Sequence, residues 1–236
     1  MKAKTTKSKD GKRTRTRAKN CPSAELRVLV DAAAFRLFME NGYENTTMRQ
    51  ISEETGFGAG SLYNTFSGKE DILKDIVDST YTLLIERVEE YLEDDIDPLV
   101  AISFPMCAEL YAASVNPRYA EILNVAHTTW PIVNMMVDRT VEWEHKYITQ
   151  FDESITPEIM KRNLTVNAAA MGIYVMKFHK EGPQDAREAV YMCMKVFCSL
   201  FGVERDNLDE IVDLIMGLFS EELVMGFFDV KGRDSK

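Results

Sequence analysis

The side chains best suited to chemistry lie together between Thr46 and Glu70, in the run Thr-Thr-Met-Arg-Gln-Ile-Ser-Glu-Glu-Thr-Gly-Phe-Gly-Ala-Gly-Ser-Leu-Tyr-Asn-Thr-Phe-Ser-Gly-Lys-Glu. They are hydroxyls, an amide, glycines and few charges, a set that forms hydrogen bonds and does not suggest covalent catalysis. Glycine-rich phosphate loops and nucleophile elbows are absent, and no Ser-His-Asp set can be argued from spacing. His127, His145 and His179 are widely separated and lack a Cys or carboxylate at metal-ligand spacing, so they read as surface or hydrogen-bonded histidines. Cys21, Cys107, Cys193 and Cys198 have neither a disulfide-framework nor a zinc pattern and read as reduced, buried thiols. No enzyme, metal or cofactor is expected.

Three helix starts and one tight turn would position these groups. Thr47 with Gln50 reads as a capping box, and so does Ser67 with Glu70. Met48 and Ile51 give the first short helix an apolar face. Gly56 suits its left-handed end, and Phe57 supplies the hydrophobic contact that accompanies such an end. A second short helix turns Leu62 and Phe66 inward, at i and i+4, and Gly60, Tyr63 and Asn64 outward. Two short helices joined by a Gly-containing turn make a helix-turn-helix pattern. The outward face, small and hydrogen-bonding, suits a helix lying in a DNA groove; a buried helical hairpin unrelated to DNA is the bland alternative.

Composition bounds the rest. The chain has 236 residues, 45% of them hydrophobic, and a net charge of -10. That balance argues against nucleic acid until its distribution is considered. Residues 1–19 hold nine Lys or Arg against Asp10 alone, so the remainder carries a net charge of −18. A basic arm on an acidic body is the asymmetry expected when one end meets phosphate. Residues 1–20 have no helical periodicity and read as a disordered basic arm, with a solubilising tail as the alternative. The N-terminus is charged, not apolar, and no run is expected to approach a membrane span, which predicts a cytoplasmic protein with no membrane partner.

The chain reads as helix after helix. Leu26, Val30, Ala33, Leu37 and Phe38 share a face, with Arg27, Asp31 and Glu40 off it, until Asn41-Gly42 stops the helix and Tyr43 packs under the bend. A long connector spans about 70–93. Further helices cover about 98–116, 118–126, 129–151, 157–180, 184–201 and 206–227, several opened by prolines in their first turns. The acidic run Glu89, Glu90, Glu93, Asp94, Asp95 and Asp97 reads as a solvated helix end.

Residues 26–73 closely resemble the DNA-binding domain of TetR-family transcriptional regulators. The residues that carry the likeness are Ala33-Ala34-Phe35 with Leu37-Phe38, Gly42-Tyr43, Thr46-Thr47, Ile51, Gly56, Gly60-Ser61-Leu62-Tyr63, Phe66 and Lys69-Glu70. Beyond residue 90 the resemblance is architectural only. It implies an all-α fold: a three-helix N-terminal helix-turn-helix domain (21–70, after the arm 1–20) and a larger helical effector-binding and dimerisation domain (71–230). It implies a homodimer on double-stranded DNA with a palindromic operator, and Gly58–Thr65 as recognition helix, with Gly58, Ala59, Gly60 and Thr65 at the groove. Thr46 or Thr47 would meet phosphate at a helix N-terminus. Tyr63 would donate its hydroxyl to the DNA backbone, Lys69 would pair with phosphate, Ser61 and Asn64 could reach base edges, and Arg49 is placed for either. The chain departs from the family at Gly58-Ala59, where Ser followed by Lys or Arg is common. Residues 20–75 carry five basic against nine acidic groups. The basic arm is therefore the expected source of electrostatic attraction.

The resemblance also implies a repressor released by an unidentified small apolar or amphipathic effector. Met106, Tyr111, Trp130, Met136, Trp143, Tyr174 and Phe178 are candidate pocket residues, since Met and aromatic side chains suit an adaptable apolar site; plain core is the alternative for each. Ala168-Ala169-Ala170 and Gly172 would allow close helix approach, at a four-helix dimer interface or within one chain. An effector-independent activator, a nucleoid-type DNA binder, or a helical carrier that does not bind DNA remain alternatives.

Overall fold

The computed structural model describes residues 23–91 and 96–228. The basic arm, Cys21 and part of the acidic run, Glu93 to Asp95, lie outside them. The described residues form eleven helices and no strand. The N-terminal unit contains α1 (Ser23–Asn41), α2 (Met48–Thr55) and α3 (Ala59–Thr65). The connector α4 (Lys69–Tyr91) leads to α5 (Pro98–Val115), α6 (Pro117–Thr128), α7 (Trp130–Ile148), α8 (Pro157–Glu181), α9 (Arg187–Phe201), α10 (Leu208–Leu218) and α11 (Glu221–Phe228).

Two apolar cores divide the chain, and α4 belongs to both. Its first half sends Ile72, Leu73, Ile76 and Val77 among Val30, Phe38, Ile51, Leu62 and Phe66. Its second half sends Leu84 and Val88 into the larger core of α5–α11. The smaller core also takes in Ile122 and Ala126 of α6 and Ile132 and Met136 of α7. Burial of these side chains, at about 25 cal/mol per Å² of apolar surface, ties the N-terminal unit to the bundle.

The expected face of α1 is buried, but so is Asp31, at 3% exposure. Gly42 ends this helix at φ 89°, a left-handed value that glycine adopts without cost. Tyr43 packs beneath the bend, its ring centroid 4.9 Å from that of Phe38.

Three further expectations need correction. Ser67 is met by Asp71, not Glu70, and by one bond instead of a reciprocal box: its amide donates to Asp71 Oδ2 over 3.0 Å. The final helix is two helices. Phe219 leaves helical geometry (φ −89°, ψ 130°) and packs its ring 5.0 Å from Phe104 and 5.6 Å from Tyr111. Ser220 then caps α11, its Oγ accepting from the Leu223 amide. Finally, α5 is long and apolar enough to cross a membrane. Fifteen of its 18 residues are buried inside the bundle, so its hydrophobicity serves the core.

Candidate nucleic-acid interface and effector cavity

The capping box of α2 forms as its sequence implies. Gln50 N donates to Thr47 Oγ1 over 3.3 Å, and the Thr47 amide donates back to Gln50 Oε1 over 2.7 Å. Gly56 is left-handed at φ 72°, and Phe57 is buried after it. The turn is further closed by Ser52 Oγ, which donates to the Phe57 carbonyl. Leu62 and Phe66 anchor α3 at 0% and 1% exposure. Gly58, Ala59, Gly60, Ser61, Tyr63 and Asn64 all face solvent, and Tyr63 is 59% exposed. Thr65 is half-buried, its hydroxyl donating to the Ser61 carbonyl.

Two expected contact residues are used differently. Thr46 is 1% exposed, and its hydroxyl lies 2.8 Å from the Gly42 carbonyl and 3.2 Å from that of Leu37. Its side chain holds the α1–α2 turn, which leaves Thr47 as the exposed threonine at the start of α2. Lys69 folds back, donating to the Tyr43 carbonyl over 2.5 Å with its ammonium 4.1 Å from the Tyr43 ring centre. Burial lowers its pKa, against the pull of Glu44 and Glu121. Arg27 pairs with Asp75 and Arg36 with Glu54. Among the described residues Arg49, with a side chain 86% exposed, is bound only by Glu53 one helical turn on. The sequence-based view of a weakly charged reading surface therefore strengthens.

Two cavities lie in the bundle behind this unit. One, of about 40 Å³, is bounded by α4 to α9 and takes in Met106, His127, Met136, Glu144 and Asn167. The other, of about 30 Å³, lies towards α1 and includes Phe35, Thr80, Glu109 and Tyr119. Tyr81 and Met136 border both and form the wall between them. Each cavity holds little more than a water molecule, so a larger guest must part the helices.

Of the seven candidate pocket residues, only Met106 and Met136 line these cavities. Trp130 is 63% exposed at the start of α7. Trp143 is buried, but its indole donates to Glu89 Oε1 over 3.1 Å, clamping α7 to α4. Lys146 joins the same carboxylate and holds its pKa down. Tyr111 packs on Phe219, Phe178 lies in the core, and Tyr174 is half-buried against that core.

The residues that sequence reading missed are polar and buried. Glu109 and Glu144 are 2% and 3% exposed, and Asn167 is 5% exposed. His127 Nε2 lies 3.0 Å from Glu109 Oε2. Burial pushes the Glu144 carboxyl well above its ordinary pKa, and the Tyr81 hydroxyl is raised in the same way, helped by Glu109. A signal existed. Glu144 sits seven residues after Val137 and four before Ile148, on the apolar face of its helix. Among the described residues no group of three or more His, Cys, Asp or Glu could hold a metal.

Comparison with known proteins decides the class of the N-terminal unit. Residues 32–76 match the family described as "Bacterial regulatory proteins, tetR family". The match is confined to the N-terminal unit, which is similar to the DNA-binding domain of that family. Members of the TetR family are DNA-binding regulators without enzymatic activity. HTH-type transcriptional regulators of Staphylococcus aureus strains USA300 and NCTC 8325 are 31% identical over 70 residues, 30% of this chain and 38% of theirs. The chain thus matches well under half the length of these curated relatives. The fold extends further. RolR in complex with resorcinol superimposes with a TM-score of 0.63 at 14% identity, over 80% of this chain and 94% of RolR. Thermus thermophilus FadR, a TetR-family repressor in complex with lauroyl-CoA, gives 0.57 at 16% identity, over 72% and 92% of the two chains.

Proposed function

We propose that the protein is a homodimeric transcriptional repressor that leaves a palindromic operator when a small molecule enters its helical bundle. The observation that carries this reading is the outer face of α3. Ser61, Tyr63 and Asn64 are exposed on a helix whose other side is locked by Leu62 and Phe66. In a dimer the two α3 helices would enter major grooves about 34 Å apart, or a multiple of that spacing. Support for a dimer comes from the outer faces of α8 and α9, where Val166, Ala169, Ile173, Met176 and Met192 are exposed apolar residues. Gly172 does not belong to that face: a Cβ there would lie 3.3 Å from His127 Cβ, so it serves close packing of α6 on α8.

Two elements would carry the signal. Helix α6 has His127 at the cavity and, at its other end, Glu121, whose Oε1 accepts from the Glu44 amide in the α1–α2 turn. Its Tyr119 ring lies 6.1 Å from that of Phe35 on α1. Helix α4 has Tyr81 at the cavity and Ile72 and Leu73 under the recognition helix. An effector that parts these helices would alter the separation of the two α3 helices, and it would shift the equilibrium only by its differential affinity for the two dimer shapes. The effector complexes of RolR and FadR support a small-molecule site in a bundle of this architecture.

The test is selection of a palindromic site from random DNA, followed by fluorescence anisotropy. Tyr63→Ala is expected to weaken the selected site by about tenfold or more. No enrichment of any sequence would refute the reading. Deletion of residues 1–19 is expected to lower both affinity and its salt dependence; unchanged values would remove the arm from the mechanism.

A further inference from the structure

The polar groups lining the cavity between α5, α7 and α8 have unmet needs, most of them on acceptor atoms. Among the described residues Glu144 Oε2, Asn167 Oδ1, Ser103 Oγ and, beyond the wall, Glu109 Oε1 are buried without a hydrogen-bond partner. The Asn167 amide nitrogen is turned to Met106 Sδ, 3.4 Å away, which leaves its oxygen for another donor. With His127 Nε2–H donating to Glu109, the buried Nδ1 also presents a lone pair. Among the described residues no Lys or Arg lines either cavity. Apart from the Ser103 hydroxyl, the unpartnered atoms are acceptor oxygens and a ring nitrogen, and among the described residues no cation faces them. Its remaining walls, including Leu164, Met171 and Phe197, are apolar.

We propose that this cavity takes the ammonium head of a small lipophilic amine, with Glu144 as counter-ion and Asn167 Oδ1 as a second acceptor. The proposal rests on the reading of the bundle as an effector domain and adds the chemical class of the effector. An ammonium group brings three donors and one positive charge, which matches what these side chains lack. A neutral alcohol could satisfy the acceptors but offers no positive charge against which the buried carboxyl could ionise, and an anion would face two carboxyl groups. In the free protein burial raises the Glu144 pKa well above its ordinary value and so favours the protonated form. When the ammonium arrives, Glu144 gives its proton to the solvent and the ligand keeps its own. The other titratable groups facing this carboxyl are Tyr81 from α4, Glu109 from α5 and His127 from α6; the lining residues of α8 and α9 do not titrate.

The experiment is calorimetric titration of the full chain, without DNA, using 2-phenylethylamine, 2-phenylethanol and 3-phenylpropionate as probes. The amine is expected to bind at least about tenfold more tightly than the alcohol, and the carboxylate not to bind. Glu144→Gln should weaken the amine by about tenfold and leave the alcohol nearly unchanged. In buffers of different ionisation enthalpy, wild-type protein should release up to about one proton per amine bound. That measurement still judges the proposal if the variant does not fold. Equal affinity for amine and alcohol, retained amine affinity in a folded Glu144→Gln protein, or the absence of proton release would each overturn it. Operator release is measured separately by anisotropy. Amine binding without release would leave this inference standing and defeat the switching mechanism, while release by a ligand of another class would do the reverse.

Discussion

Around α2 and α3, polar side chains close on one another or on the backbone: Thr47 with Gln50, Ser52 with the Phe57 carbonyl, Thr46 with Gly42. In the bundle, the Glu144, Asn167 and His127 side chains keep buried atoms without partners. The first region is finished, with its hydrogen-bonding capacity either internally spent or facing outward on α3. The second is unfinished, and buried polar atoms left in that condition cost about 1–3 kcal/mol each. A rigid reading surface needs the first arrangement. A site whose state changes with a guest needs the second, because a complement from outside can lower its free energy.

The comparison breaks most severely at the anchor of α3. Leu62→Ala removes a side chain with no exposure from the smaller core and is expected to cost about 2–5 kcal/mol. Urea denaturation should register this loss, and DNA binding should fail with it. If stability held, the recognition helix would not depend on that core.

Thr46→Val tests the finished region at smaller scale. It preserves shape but deletes the hydroxyl shared by the Gly42 and Leu37 carbonyls. A loss of about 1–3 kcal/mol is expected by the same denaturation measurement. A change below about 0.5 kcal/mol would show that water replaces the hydroxyl and that the turn is not held from inside.

Glu144→Gln tests the unfinished region with the opposite sign. A carboxyl whose folded pKa is raised stays protonated in the native state while the unfolded chain gives up its proton, so wild-type stability falls as pH rises above the unfolded value. The slope reaches at most about 1.4 kcal/mol per pH unit. Melting temperatures of wild type and Glu144→Gln should therefore diverge from about pH 5 to about pH 8, with the variant higher at the alkaline end. Parallel curves would mean that Glu144 is charged and partnered in the native protein.

The finished region was readable in sequence because its signals are local. A capping box spans four residues, and the Gly56 end is followed at once by its hydrophobic contact, Phe57. The break at Phe219–Ser220 was less visible because apolar periodicity runs across it; only Ser220 followed by Glu221 and Glu222 marks a new N-terminus. The cavity was least legible. Its polar residues come from α4 to α8, and no spacing within one helix reports that Glu109 meets His127. Met and aromatic content is high in the domain that holds the cavity, but Trp143 and Phe178 are used there to hold helices together. What marked the site was the reverse pattern: Glu109, a charge within a helix otherwise buried and apolar, and Glu144 and Asn167 on apolar faces.

Arg49 gives the smallest and sharpest test of the reading surface. Arg27 and Arg36 are committed to Asp75 and Glu54, and Lys69 to the Tyr43 carbonyl. Among the described residues Arg49 is tethered only to Glu53, also exposed at 62%, in a pair worth about a few tenths of a kcal/mol. Exchanging Glu53 for a phosphate would therefore cost the fold almost nothing. Arg49→Ala should leave the denaturation midpoint within experimental error and lower the salt slope of DNA binding by about 0.9, the release expected for one phosphate contact. Equal weakening across unrelated DNA sequences would assign Arg49 to the backbone. Weakening confined to the selected site would assign it to a base edge, and unchanged binding would leave the contact surface to α3 and to chain outside the helix-turn-helix.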